Sequence, residues 1–117
     1  MKSATTPPMA DKLSALATLH CRAGTPRLSH QEIEAHMASL PGWTHPGDRI
    51  EKTFRFANYY ETIAFVNALA FVAHREDHHP DLGVHYNRCS VTFSTHDAGG
   101  VTLNDIVCAA KLERLGG

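Results

Sequence analysis

Four of the nine histidines in this 117-residue chain fall in one short stretch, AHREDHHPDLGVHY, at residues 73–86. They are His74, His78, His79 and His85. On a helix, His74 and His78 stand four residues apart and share a face, and His79 lies about 100° around from His78. Three uses compete for such a cluster. The HxxxH pair can give two imidazole ligands to a metal, with His85 or His96 as a third. The HExxH zinc pattern is absent, however, no cysteine lies nearby, and the cationic Arg75 falls between the two histidines. The segment HREDHHP can also be a solvated helix end with no chemistry. The third use is proton transfer, because imidazole titrates nearest neutrality. A histidine in a last helical turn faces the negative end of the macrodipole, which favours its protonated form. Asp77 or Glu76 would push the same way, while a histidine in a less anionic setting stays neutral. Two imidazoles with separated pKa values suit a reaction that adds one proton and removes another.

The elements that must position these residues are legible from periodicity and punctuation. In LSHQEIEAHMASLPGW, Ser29 and Glu32 form a capping box and Leu28 with Ile33 a hydrophobic staple, which predicts a helix from about His30 to Leu40, stopped by Pro41-Gly42. GWTHPGDRIEKTFRF reads as a hairpin: a short strand near Trp43, a turn at HPGD, and a strand in which Ile50, Phe54 and Phe56 share a face that Lys52 interrupts. Asn58 and Glu61 open the longest helix. Its wide apolar arc suits a position across a sheet or in an oligomer interface, and Pro80 ends it near His79. LGVHY and CSVTFST form a second hairpin turning at NR, with Cys89, Val91, Phe93 and Thr95 on one face. Strict alternation then sends His96 to the opposite face, unless the chain turns after Thr95. Thr102 and Asp105 suggest the N-cap of a final helix, TLNDIVCAAKLERL. The order is α-β-β-α-β-β-α, an α+β fold with a four-stranded antiparallel sheet and helices packed on one face. Its edge strands invite pairing between subunits.

Residues 1–27 read as a partly flexible N-terminal extension, with a break at Pro7-Pro8, a short helix in DKLSALATLH and a linker at RAGTPR. Residues 28–117 form the domain. Eleven basic against twelve acidic residues, without a Lys/Arg cluster, argue against a nucleic-acid partner. The apolar runs are too short for a membrane span, and MKSATTPPMADK lacks the apolar core of a secretion signal, so a cytoplasmic location is expected. Cys21, Cys89 and Cys108, odd in number and without CxxC spacing, fit reduced, packed thiols.

The pattern His74-x3-His78-His79-Pro80-x5-Tyr86-x9-His96-x8-Asp105 resembles the signature of the pterin-4a-carbinolamine dehydratases. PGW at 41–43, STH at 94–96 and ND at 104–105 agree with it, and the resemblance covers about residues 28–115. Seven positions keep their spacing over 32 residues, which makes the match specific. The family often has glutamate at the first signature position, where this chain has His74. The resemblance implies dehydration of 4a-hydroxytetrahydropterin to quinonoid dihydropterin, with no metal or other cofactor, in support of a pterin-dependent aromatic amino-acid hydroxylase. It assigns catalysis to His78, His79 and His96, and pterin binding to these three with Asp77, Ser94 and Thr95. His74 becomes a residue that orients or tunes His78. Which histidine is acid and which base stays open. Family members form homodimers and homotetramers. Some relatives serve instead as a transcription-factor dimerisation cofactor or a Rubisco assembly factor, so a non-catalytic assembly role is the alternative. Trp43 and Tyr86 are expected as core or interface aromatics, and His20, His30, His36, His45 and His85 as surface or structural residues.

Overall fold

A computed structural model describes residues 9–116, so the expected Pro7-Pro8 break lies outside the described residues. The element order is α1 (Met9–Ala17), α2 (His30–Met37), β1 (Ile50–Arg55), α3 (Tyr59–Glu76), β2 (Asp81–His85), β3 (Arg88–Phe93) and α4 (Leu103–Gly116), with a 3-10 turn at His96–Ala98. Capping sets the helix starts as the sequence predicts. The Ser29 hydroxyl accepts from the Glu32 N–H while the Ser29 N–H donates to the Glu32 carboxylate. Asn58 Oδ1 accepts from Glu61 N at 2.9 Å. Thr102 Oγ1 accepts from Asn104 N, and the Asp105 carboxylate reaches back to the Thr102 N–H as the acidic residue of a capping box does.

The sheet has three antiparallel strands in the order β1-β3-β2, not the four expected. The predicted strand near Trp43 shrinks to a single bridge between Thr44 and Glu51. Pro41 and Pro46 flank that segment, and Gly42 and Gly47 both take positive φ, so a regular ladder cannot extend along it. In register, Ile50 faces Phe93, Phe54 faces Cys89 and Leu82 faces Val91. One sheet face therefore carries Ile50, Phe54, Cys89, Val91 and Phe93. These merge with Ile33 of α2, Phe65 and Leu69 of α3, and Ile106 and Leu112 of α4 into one core. The opposite face presents Glu51, Thr53, Ser90 and Thr92. Helix α3 buries a single stripe, Thr62, Phe65, Leu69 and Ala73, and leaves Tyr60 and Phe71 exposed.

Lys52, the residue that interrupts the apolar face of β1, has specific partners. Its ammonium donates to Glu113 Oε2 at 2.7 Å and to the Pro41 carbonyl at 2.7 Å. Trp43 Nε1 donates to the same Glu113 oxygen at 2.9 Å. Both members of the ion pair are mostly buried. Glu113→Ala strands an ammonium and an indole N–H together, and it is expected to cost about 3 kcal/mol of stability. Urea denaturation checks this; an unchanged midpoint would contradict it.

The segment before α2 is laid against the rest of the fold. Leu13, Leu16 and Ala17 of α1 pack on the core, and Lys111 Nζ on α4 donates to the Ala17 carbonyl at 2.8 Å. His20 Nδ1 and the Cys21 N–H both bind the Glu76 carboxylate, at 2.9 and 2.8 Å. Asn104 accepts from the Arg22 N–H at 3.0 Å and donates back to the Arg22 carbonyl at 2.8 Å.

Candidate active site

The end of α3 places the first two histidines. The helix stops at Glu76, three residues before the expected end near His79, because Asp77 turns left-handed at φ 50°. Aspartate tolerates this region better than most residues do. The Asp77 N–H bonds to the carbonyls of Ala73 and His74, and the His78 N–H to Ala73, so the terminal carbonyls are satisfied by the cap. His78 and His79 thus follow the helix and do not occupy its last turn. The cap fixes their backbone.

His96 arrives by the turn that strict alternation required. Strand β3 stops at Phe93, Thr95 bridges to Gly100, and residues 96–98 make one 3-10 turn. Gly99 closes it at φ 73°, a conformation open to glycine at little cost. This brings Ser94, Thr95 and His96 beside His78 and His79. Together with Asp97 these five line a cavity of about 280 Å³.

His78 is the anchored member. Its Nε2 lies 2.6 Å from Asp105 Oδ1, and its ring stacks on Phe93 at 5.9 Å with 6° between planes. Asp105 Oδ2 accepts from Thr95 Oγ1 at 2.8 Å and from the Thr102 N–H at 2.9 Å. The fully buried Asp105 carboxylate therefore ties the start of α4, the end of β3 and the histidine together. The hydrogen bond to Asp105 raises the His78 pKa above its ordinary value. Burial opposes this, and the charges of Asp105, Cys21 and Asp77 add to the rise. Nδ1 of His78 has no protein partner among the described residues. His79 and His96 are exposed, with no such clamp.

A larger cavity of about 670 Å³ adjoins the first, sharing His78, Thr95 and Asp97. Glu76, Asp77, Ala98 and Asn104 contribute to its wall, and Cys21–Arg27 supply the rest. Cys21 Sγ there lies 3.5 Å from Cys108 Sγ, a proximity that the separation of the two cysteines in sequence does not suggest.

Of the residues singled out from the sequence, His78, His79, Ser94, Thr95 and His96 line one cavity and Asp77 lines the other. His74 is exposed on α3, lines neither cavity and makes no side-chain hydrogen bond to His78 among the described residues. Trp43 is a core residue. Tyr86 is exposed and stacks on Tyr59 at 6.3 Å. Sequence reasoning missed three features. Asp105 was visible as a cap and a signature position but not as the acceptor for His78. Phe93 was legible only as core. The wall at 21–27 gave no signal, since RAGTPR has the composition of any linker.

A family model described as pterin 4 alpha carbinolamine dehydratase matches residues 26–115. A Chromobacterium violaceum protein, named as a candidate pterin-4-alpha-carbinolamine dehydratase, is 58% identical over 92 residues, covering 79% of this chain and 85% of its own. A Nitrosospira multiformis protein of the same name is 49% identical over 105 residues, covering 90% and 93%. Among solved structures, a transcriptional coactivator/pterin dehydratase from Brucella melitensis superposes with a TM-score of 0.75 at 33% identity, over 78% of this chain and 99% of that one. A pterin dehydratase-like Rubisco assembly factor of the alpha-carboxysome gives a TM-score of 0.57 at 25% identity, over 65% and 90%.

Proposed function

The chain belongs to the pterin 4 alpha carbinolamine dehydratase family, and from that premise we propose that it dehydrates 4a-hydroxytetrahydropterin to quinonoid dihydropterin and water by histidine acid–base catalysis. The observation that carries this reading is the His78–Asp105 pair at 2.6 Å beside a cavity also lined by His79 and His96. The reaction breaks the C4a–O bond and forms the C4a=N5 double bond. A proton must reach the departing hydroxyl, and the N5–H proton must leave as the nitrogen electron pair moves into the new bond. His78, favoured as imidazolium by Asp105, is the acid that protonates the hydroxyl through Nδ1. One of His79 and His96 takes the N5 proton and the other holds the ring, with the Ser94 hydroxyl and the Asp77 carboxylate as polar contacts. The water formed leaves through the solvent-open side where His79 and His96 lie. The acid and base are thereby separated by environment, one clamped and partly buried and the others exposed.

Stopped-flow absorbance with chemically generated 4a-hydroxytetrahydropterin tests the proposal. Acceleration over the spontaneous reaction is expected, and its absence would sink the reading. His79→Ala and His96→Ala are each expected to lower kcat/KM by about 10- to 100-fold. Both side chains are exposed, so thermal melting should stay within about 0.5 kcal/mol of wild type. A rate loss that tracks a stability loss would remove them from the catalytic set.

The same reading includes self-association, in the cytoplasm, as a homodimer or homotetramer. Strand β2 is an edge strand of the three-stranded sheet, and Leu82, Val84 and Phe71 are exposed apolar residues. The likeness to the Rubisco assembly factor favours a second reading, a non-catalytic assembly role. Capture of Rubisco by the purified chain, together with absent pterin turnover, would reverse the order of the two.

A further inference from the structure

Two of the histidines expected to be surface or structural residues, His30 and His45, stand together away from the proposed active site. His30 and Glu34 are four residues apart on α2 and share a face. His45, in the loop after α2, packs its ring 5.4 Å from that of His30. One ligand atom from each of His30, Glu34 and His45 lies within 4.8 Å of the other two. The His45 side chain is only 7% exposed. Its Nδ1 is buried and has no hydrogen-bond partner among the described residues, and Glu34 Oε2 stands 3.5 Å away. A buried ring nitrogen left unpaired is costly.

We propose that His30, Glu34 and His45 form a binding site for a late first-row divalent cation, of which zinc is the reference ion. Two imidazoles and one carboxylate are ligands that zinc takes in three-residue sites. Tetrahedral bonds of about 2.0–2.1 Å put neighbouring ligand atoms roughly 3.3 Å apart, close to the 3.5 Å between His45 Nδ1 and Glu34 Oε2. His30 and Glu34 are exposed and free to close the remaining distance by side-chain rotation. The adjoining cavity, about 130 Å³, has room for the ion and a water. Asp48 lines it too and offers a carboxylate for the fourth position, and Arg27 is the one Lys or Arg side chain in its described lining. The bound ion joins α2 to the 41–49 loop, which forms only a single bridge of sheet on its own. It stabilises that connection and takes no part in proton transfer at His78.

Untagged protein, freed of metal by chelation, is titrated with zinc chloride by calorimetry and melted with and without zinc. One equivalent per chain is expected, with Tm rising by roughly 10 °C at about 100 times Kd. His45→Ala and His30→Ala should each weaken this binding by more than about 100-fold, beyond what losing an outer partner of a ligand costs. His30 is exposed, so its variant reads out ligation even if the His45 variant folds poorly. Absence of a tight equivalent, or wild-type affinity in His30→Ala, overturns the site. Neither readout uses pterin turnover, so failure here leaves the proposed dehydratase reaction standing, and failure of that reaction leaves this site standing.

Discussion

Replacing His78 with glutamine is expected to lower kcat by about two to four orders of magnitude, toward the spontaneous rate. Glutamine keeps a polar side chain of similar reach that can still donate to Asp105, so the pocket survives while the titrating group is lost. The size of the effect follows from position. His78 is the one imidazole of the three whose ring is held on two sides, by the 2.6 Å bond to Asp105 and by the face of Phe93. A fixed acid avoids the entropy of searching for the hydroxyl in each turnover. Its pH signature separates this role from a structural one. The acid form is the imidazolium, and the Asp105 hydrogen bond raises its pKa above the usual histidine value. Activity should therefore persist to higher pH than an ordinary histidine would allow, and fall as pH rises through that raised pKa. In Asp105→Asn the carboxylate is gone, the imidazolium is less favoured, and the falling limb of kcat/KM should move to lower pH. A limb that stays in place in Asp105→Asn would show that His78 is not the acid.

How far the sequence could go is clearest where local rules met tertiary ones. Ser29, Asn58 and Thr102 were legible as caps, because capping is decided within four residues. The hairpin of β2 and β3 was legible because alternation is also local, although its turn falls at Tyr86-Asn87 and not at the expected Asn87-Arg88. Asp77 was not: it reads as one more acidic residue in HREDHHP, and nothing in its type marks the left-handed turn that shortens α3 by three residues. The fourth strand failed for a similar reason. Trp43 has strand propensity, but its indole is committed to Glu113 across the core, and the prolines and glycines around it break the ladder. Within the site, the spacing from His74 to Asp105 gathered the right residues without showing which ones touch. His74, first in that pattern, is exposed on α3, while Asp105, last in it, holds His78. Helical spacing favours the pair His74 and His78. The structure instead joins His78 to a residue 27 positions away, a contact that no periodicity encodes.

That contact makes Asp105→Ala the most destabilising single change expected in the site, at about 3–5 kcal/mol. The carboxylate is fully buried and accepts from His78 Nε2, Thr95 Oγ1 and the Thr102 N–H. Alanine removes all three acceptor contacts. Thr95 retains its 2.9 Å hydrogen bond to the Thr102 hydroxyl, but the Thr102 N–H at the start of α4 is left unsatisfied in the interior. Asp105→Asn should cost roughly half as much, since its amide oxygen can still cap that N–H while only the charge is lost. The pH dependence divides the two contributions. A histidine whose folded pKa is raised adds stability that is fully present below its unfolded pKa, near 6.5, and is lost as pH rises through the folded pKa. The gap between wild type and Asp105→Asn should thus be widest near pH 5.5 and narrow toward pH 9. What remains at pH 9 is the share that does not depend on the charge of His78. Urea denaturation of both proteins at the two pH values measures each part. A gap that widens with pH would mean that the pair is held by something other than the charge on His78.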